Sequence, residues 1–361
     1  MAVYLLNFIS IPIYDLIIKK RKKLLLFIIA LQTFLILALR SETLGVDLAD
    51  SYKIFYEHYR TMPLKEIILG FRPLGVSAHD YGVESGYVLL NYIIGKLGFS
   101  FHSFLVIYAA IVVVGVSVFI SRYCEDVALG FATFIAIGGF VSSFGILRQS
   151  LGLVILLFAL PSLVHRKFWK YCLFVFLAGL FHQALLIAIA LYFLSMLKAN
   201  RALYIAMIGG SIALVFFTPL VYNAVIFPIL AKLNKYYYLG AFEWNNMFAV
   251  MLLFAILILI FFKSDRSVKK EDTAMQCGFL FALPLQALSF YIPVFSRLAG
   301  AVFINFLCVL IPATVASFET RSQKFQAKTI AYVGLLLFFL YVLITDIYIV
   351  PYVPYWAASG T

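Results

Sequence analysis

Apolar residues in this chain come in long unbroken runs, not in alternation. A membrane-crossing helix needs about 20 such residues. Twelve stretches approach that length: 1–18, 22–39, 101–121, 127–144, 147–164, 168–182, 183–197, 202–219, 246–262, 274–292, 297–317 and 327–347. Barrel strands would instead alternate over about 10 residues, so the runs predict helices. A thirteenth apolar piece, Tyr87–Leu97, is too short to cross and carries Gly95 and Lys96. It predicts a re-entrant or interfacial helix near 85–98, tolerated only where protein or water covers it. The pattern is that of an all-α polytopic integral membrane protein with about 12 transmembrane helices, forming one membrane domain over 1–361. Polar residues gather in two intervening segments, 40–100 and 220–245.

Composition agrees. The apolar class is 64% of the 361 residues and charged residues are 12%, against roughly 25% charged in soluble domains. The mean hydropathy is +1.03. A net charge of +12 would suggest nucleic acid in a soluble protein, but in a membrane chain basic residues first report topology. With the Lys19–Lys23 run placed in the cytoplasm and the spans alternating, the same face receives Arg122, Arg166, Lys167, Lys170, Lys198, Arg201, Lys263, Arg266, Lys269, Lys270, Arg321, Lys324 and Lys328. That face holds 18 of the 28 basic residues and 7 of the 16 acidic ones, so +11 of the +12 lies there. Both termini and both polar segments then face outside, and no nucleic-acid partner is expected. Residues 1–18 are read as a retained helix, because the basic run follows the apolar stretch instead of preceding it. Trp169, Trp244 and Trp356 fall near the expected interfaces, as amphipathic aromatics do. Cys124, Cys172, Cys277 and Cys308 include no Cys-x-x-Cys pair, so neither disulfides nor thiolate metal sites are expected.

The outside face carries the chemistry. Arg148, His182 and Arg297 sit at the outer ends of spans among apolar neighbours, and Arg40 follows the second span. Ionisable residues at membrane depth are expensive and point to function, although snorkelling or an ion pair also accounts for a single one. The segment 40–100 adds Asp47, Tyr52, Arg72 and Glu84; the second segment adds Lys232 and Lys235 beside Tyr236 and Tyr237. Aromatic rings cover apolar sugar faces and arginine meets phosphate oxygens through a bidentate fork. The tyrosines fit an interfacial aromatic belt equally well. Among the bases, Asp47, Glu84 and His182 all qualify, and burial would raise a carboxylate toward a useful value. Either carboxylate can instead orient an arginine. No Walker loop, His-Glu-x-x-His or Gly-x-Ser-x-Gly motif is present.

In order along the chain, these residues resemble the EpsG-type members of the Wzy polysaccharide polymerases. The resemblance lies in Arg40-x4-Gly45-x-Asp47-x4-Tyr52, Glu84-Ser85-Gly86-Tyr87 leading to Asn91, Leu147-Arg148-Gln149, Phe181-His182, Arg297 and Tyr352-Val353-Pro354-Tyr355. Val46 stands where that family often has threonine. The resemblance implies a GT-C-like membrane glycosyltransferase without cofactor or metal. It would join undecaprenyl-diphosphate-linked oligosaccharides, as donor and acceptor, at the outer face of the bacterial cytoplasmic membrane, inverting the anomeric centre. The candidates then become catalytic Glu84, Asp47 or His182, diphosphate-binding Arg40, Arg148, Arg297 and Arg72, and sugar-binding Tyr52, Tyr236, Tyr237 and Tyr352. The partners implied are lipid and a chain-length-regulating co-polymerase. Competing readings are an O-antigen ligase or acyl-modifying enzyme, with a similar outward polar site, and a flippase or transporter, which would place charges near mid-membrane.

A topology reporter fused at Ser267 is expected to read as cytoplasmic and one at Asn234 as external; the reverse pattern would relocate every candidate residue.

Overall fold

The computed structural model describes residues 1–18, 21–78, 80–197, 199–232, 246–260, 270–302 and 304–358. Tyr236, Tyr237 and both reporter positions lie outside these residues. Among the described residues there is no strand, and two isolated bridges pair Arg40 with Pro354 and Val76 with Glu84.

The chain opens with α1 (Ala2–Ile18) and α2 (Lys22–Ala38). The first polar segment forms a π-helical turn at Leu48–Tyr52, then α3 (Lys53–Thr61), α4 (Leu64–Leu69) and α5 (Ser85–Lys96). Next come α6 (Phe101–Tyr123), α7 (Val127–Ala136), α8 (Gly139–Gly145), α9 (Leu147–Val164) and α10 (Phe168–Gly179). A 3-10 stretch, Gln183–Ala188, leads into α11 (Ile189–Leu194) and α12 (Arg201–Val221). The remainder is α13 (Phe227–Lys232), α14 (Asn246–Ile260), α15 (Lys270–Leu288), α16 (Val294–Val302), α17 (Leu307–Ala316), α18 (Arg321–Thr345) and the turn α19 (Tyr355–Ala358).

Several starts are set by side-chain caps. Ser100, Asp126 and Asn200 each accept from the backbone N–H three residues on, at 3.2, 3.0 and 2.9 Å. Thr320 and Gln323 form a reciprocal capping box at the head of α18. Such caps contribute about 1 kcal/mol each.

The helical reading of the apolar runs stands. Among the described residues, four helices are long and apolar enough to cross a membrane: α6, α9, α12 and α18. A fifth is added if α7 and α8, bent by 48°, count as one span. The bend sits at Gly138, whose φ of +96° a side chain would resist. Elsewhere the runs divide into shorter pieces. The run 168–182 stays α-helical only to Gly179, and 297–317 breaks between α16 and α17 at a 3-10 turn, Ile304–Phe306. The expected short helix near 85–98 is present as α5.

The first polar segment is a packed layer. Tyr56 and Tyr59 of α3 are fully buried, and the Tyr56 hydroxyl donates to the Phe99 carbonyl at 2.8 Å. Gly86 brings α5 onto the end of α10: its N–H donates to the Leu180 carbonyl at 2.8 Å, and a Cβ there would lie 2.7 Å from that oxygen. The chain's last segment closes over the start. Tyr4 donates to the Ile349 carbonyl at 2.7 Å, Tyr352 to the Ile36 carbonyl at 3.0 Å, and the Ser41 N–H to the Val353 carbonyl at 2.8 Å. At the opposite ends of these helices Lys328 of α18 bridges Asp15 of α1, at 2.7 Å, and Asp126, the cap of α7.

Gly45 fixes the turn that carries Asp47. Its φ is +137° and a Cβ would meet the Phe144 carbonyl oxygen at 2.2 Å. Gly45→Ala is therefore expected to destabilise the protein by about 1–3 kcal/mol from backbone strain alone, with the clash adding to it. Gly209→Ala, in α12 with nothing within 4 Å of the added Cβ, is expected to gain up to about 1 kcal/mol from helix propensity. Thermal unfolding in detergent compares the two; equal stability of both variants would refute the tight seat of Gly45.

Candidate active site

Among the described residues, two charged side chains fall in the buried class, Arg40 and Glu84. An ion cannot be taken out of water without partners except at a cost of several kcal/mol. What surrounds these two therefore shows what the fold is organised to hold.

Glu84 caps α5 with extended backbone, φ −64° and ψ 141°, and its carbonyl accepts from the Tyr87 and Val88 N–H groups at 3.1 Å each. Its carboxylate, 2% exposed, is surrounded by donors. Oε2 accepts from Arg148 at the start of α9. Oε1 lies 3.1 Å from Nδ1 of His182 and accepts from the Gln183 N–H at 3.2 Å. Three segments far apart in the chain meet on one carboxylate. Burial pushes the Glu84 carboxyl up, but the His182 hydrogen bond and the Arg148 charge outweigh it and hold the carboxyl below its ordinary value. Burial therefore does not raise this carboxyl as expected: Glu84 is held down in contact with both Arg148 and His182.

Arg148 is about a quarter exposed, so it keeps an accessible edge beside Glu84, while its Nε is buried without a hydrogen-bond partner. Tyr52, 5% exposed, is placed against Arg148 by the turn that follows Asp47. Burial pushes the Tyr52 phenol up, against the lowering pull of Arg148, so it stays protonated. Its ring meets Tyr87 edge-on at 5.8 Å. With Nδ1 on Glu84, Nε2 is the ring nitrogen of His182 that this carboxylate does not engage.

Arg40 is fully buried and, among the described residues, has no carboxylate against it. One terminal nitrogen donates to the Ser143 carbonyl at 3.0 Å, and the guanidinium lies over the Phe144 and Tyr108 rings at 4.9 and 5.8 Å. Its Nε and other terminal nitrogen are unpartnered. Desolvation pushes it down to about 10, with nearby tyrosines opposing, so it remains a cation at neutral pH. Cation–π contacts of this desolvated kind contribute about 2 kcal/mol. Tyr352 stands near Arg40, its ring edge-on to Tyr4 at 5.7 Å.

The remaining candidates lie outside this constellation. Arg297 is exposed on α16, and its backbone carbonyl accepts from the Gln149 side chain at 2.7 Å. Asp47 is exposed, in the left-handed region with φ +61°. Arg72 is exposed and donates to the Leu69 and Phe71 carbonyls at 3.3 and 3.1 Å. Its own N–H donates to the Ser85 hydroxyl at 2.8 Å. Among the described residues no three His, Cys, Asp or Glu side chains are grouped as a metal would need. Two glutamines escaped the sequence reading as site residues, Gln149 and Gln286, both buried and both lining a cavity of about 310 Å³ between α6–α9 and α15–α16. An amide inside an apolar run is the same signal that marked the arginines.

Because the folded Glu84 carboxyl is depressed, its ion pairing stabilises the protein fully above the ordinary carboxylate value of about 4.3. That contribution is lost as pH falls through the depressed folded value. Wild type is expected to melt above Glu84→Gln at neutral pH, with the gap closing on acidification below about pH 4. A gap that is independent of pH would refute the ion-paired carboxylate.

No curated protein and no solved structure matches this chain. The EpsG family model matches residues 23–355, a stretch that contains Arg40, Glu84, Arg148, His182 and Arg297. The chain is a helical membrane protein that belongs to the EpsG family.

Proposed function

We propose that this protein is a polysaccharide polymerase of the O-antigen or exopolysaccharide type. It transfers a growing glycan from undecaprenyl diphosphate onto the terminal sugar of a lipid-linked repeat unit, at the outer face of the bacterial cytoplasmic membrane, with both termini outside. The observation that carries the reading is the meeting of Arg148 and His182 on the buried carboxylate of Glu84.

In the proposed reaction the acceptor hydroxyl attacks the anomeric carbon of the donor sugar as the carbon–oxygen bond to the diphosphate breaks. One attack from the face opposite the leaving group inverts that centre. The acceptor proton passes to Nε2 of His182, whose tautomer Glu84 sets through Nδ1. The electron pair leaves on the diphosphate, an anion that needs no proton at neutral pH. It needs oriented positive charge, which Arg148 supplies through the edge not bound to Glu84. Arg297 provides a second, exposed cation, and the Tyr52 hydroxyl a neutral donor beside the first. Asp47 and Arg72 act at the mouth of the site in this scheme, and Arg40 holds its wall. Membrane lipid and a chain-length-regulating co-polymerase are the proposed partners.

Purified protein supplied with the lipid-diphosphate-linked repeat unit of its own host is expected to yield a ladder of longer chains and release undecaprenyl diphosphate. Arg148→Lys keeps the charge but loses the planar fork. Losing one charge-assisted bond, about 1.5–3 kcal/mol, predicts an elongation rate about 10- to 150-fold lower. Movement of the substrate between leaflets with no bond made would refute the polymerase, and full activity in Arg148→Lys would refute the clamp.

A further inference from the structure

The cavity of about 310 Å³ lies on the other side of α9 from Glu84. Arg148 and Gln149 are consecutive on that helix, so their side chains diverge by about 100° around its axis. Arg148 turns to the buried carboxylate, and Gln149 lines the cavity. The Gln149 amide is fixed, because its Nε2 donates to the Arg297 carbonyl at 2.7 Å. Its Oε1 is thereby left as a buried acceptor with no partner. Gln286 of α15, 1% exposed, lines the same cavity and likewise has a buried Oε1 without a partner. Asn305 lines it too, its amide nitrogen reaching toward the Gly300 carbonyl at 3.4 Å. Phe134 offers an aromatic surface and Arg297 a cation.

Buried acceptors left unpaired are costly, so they select for a ligand that brings donors. A phosphate brings none, and a prenyl chain brings none. A sugar ring brings several hydroxyls and, when it is an amino sugar, an amide N–H, together with an apolar face for an aromatic side chain. The volume is at the small end of ligand pockets, roughly 300–1,000 Å³, and fits one or two sugar rings.

We propose that this cavity is a saccharide subsite in which Gln149 and Gln286 read the hydroxyl or N–H donors of one sugar of the repeat unit. The proposal rests on the polymerase reading for the identity of the glycan. It assigns to the two glutamines the choice of sugar, separate from the bond-making group at Glu84.

The test uses full-length protein in lipid nanodiscs. The probe is a soluble oligosaccharide fragment of the polysaccharide made by the same cell, followed by saturation-transfer NMR and calorimetry. Wild type is expected to transfer saturation to the protons of a single sugar. Gln286→Leu and Gln149→Leu, which keep the side chain's bulk and remove the acceptor, are expected to bind at least tenfold more weakly. Gln276→Leu is the control: that residue is also buried with an unpartnered Oε1, but it lies outside the cavity, and its binding is expected to match wild type. Unfolding temperatures confirm that each variant is folded, and Gln286→Leu suffices if Gln149→Leu is not. Absence of binding to wild type, or binding indifferent to the glutamine substitutions, overturns the subsite, as does displacement of the fragment by sugar-free undecaprenyl phosphate. If the fragment binds through both glutamines while no chain elongation occurs, the polymerase reading fails and the subsite stands. If elongation and sugar preference are unchanged in both variants, the subsite fails and the polymerase stands.

Discussion

One buried carboxylate organises the middle of this protein. Glu84 cannot be withdrawn from water alone, and the chain around it has little polar surface to offer. Its partners are therefore recruited from a distance: Arg148 is 64 residues away, His182 98 residues away and the Gln183 N–H 99 residues away. Removing a single partner of such a buried pair costs about 3–5 kcal/mol, so the head of α9, the end of α10 and the cap of α5 are held in one relative position. Gly86 makes the approach physically available, because only a residue without Cβ fits against the Leu180 carbonyl.

Around that centre polar groups are divided by sign. Donors collect where Arg148 and His182 face Glu84, with Tyr52 against Arg148, and again where Arg40 is packed among tyrosines. Acceptors collect on the far side of α9, at Gln149 and Gln286. An anion suits the first environment and a polyol the second. Arg40 belongs to neither surface. Fully buried, backed by Phe144 and Tyr108, and tied to Ser143, it braces the wall between the N-terminal helices and α8. The bridge from its own backbone to Pro354 brings in the last segment of the chain.

Much of this is legible in the amino-acid sequence. Arginines, a glutamate and a histidine stand out in apolar runs, and their order along the chain carries the family resemblance. Helical character is equally plain, because long unbroken apolar runs admit little else. What pattern does not supply is contact. Nothing in local sequence pairs Glu84 with residues about 64 and 98 positions away, so its role stays open there between base and orienting group. Breaks within the apolar runs escape the pattern for a related reason. Hydropathy registers the apolar length of 127–144 and 297–317, but not the left-handed glycine at 138 or the 3-10 turn at Ile304–Phe306 that divides the second. Gln286 reads as one polar residue in a buried helix until the fold sets it across from Gln149.

The neighbouring positions of Arg148 and Gln149 have a mechanical consequence. Two residues on one helical turn share a single rigid axis, so neither side chain can be displaced by backbone motion without carrying the other. If Gln149 grips the sugar and Arg148 the leaving group, the first turn of α9 works as a fixed gauge. It sets the distance between the ring being recognised and the bond being broken, and a repeat unit of the wrong shape arrives out of register with the cation.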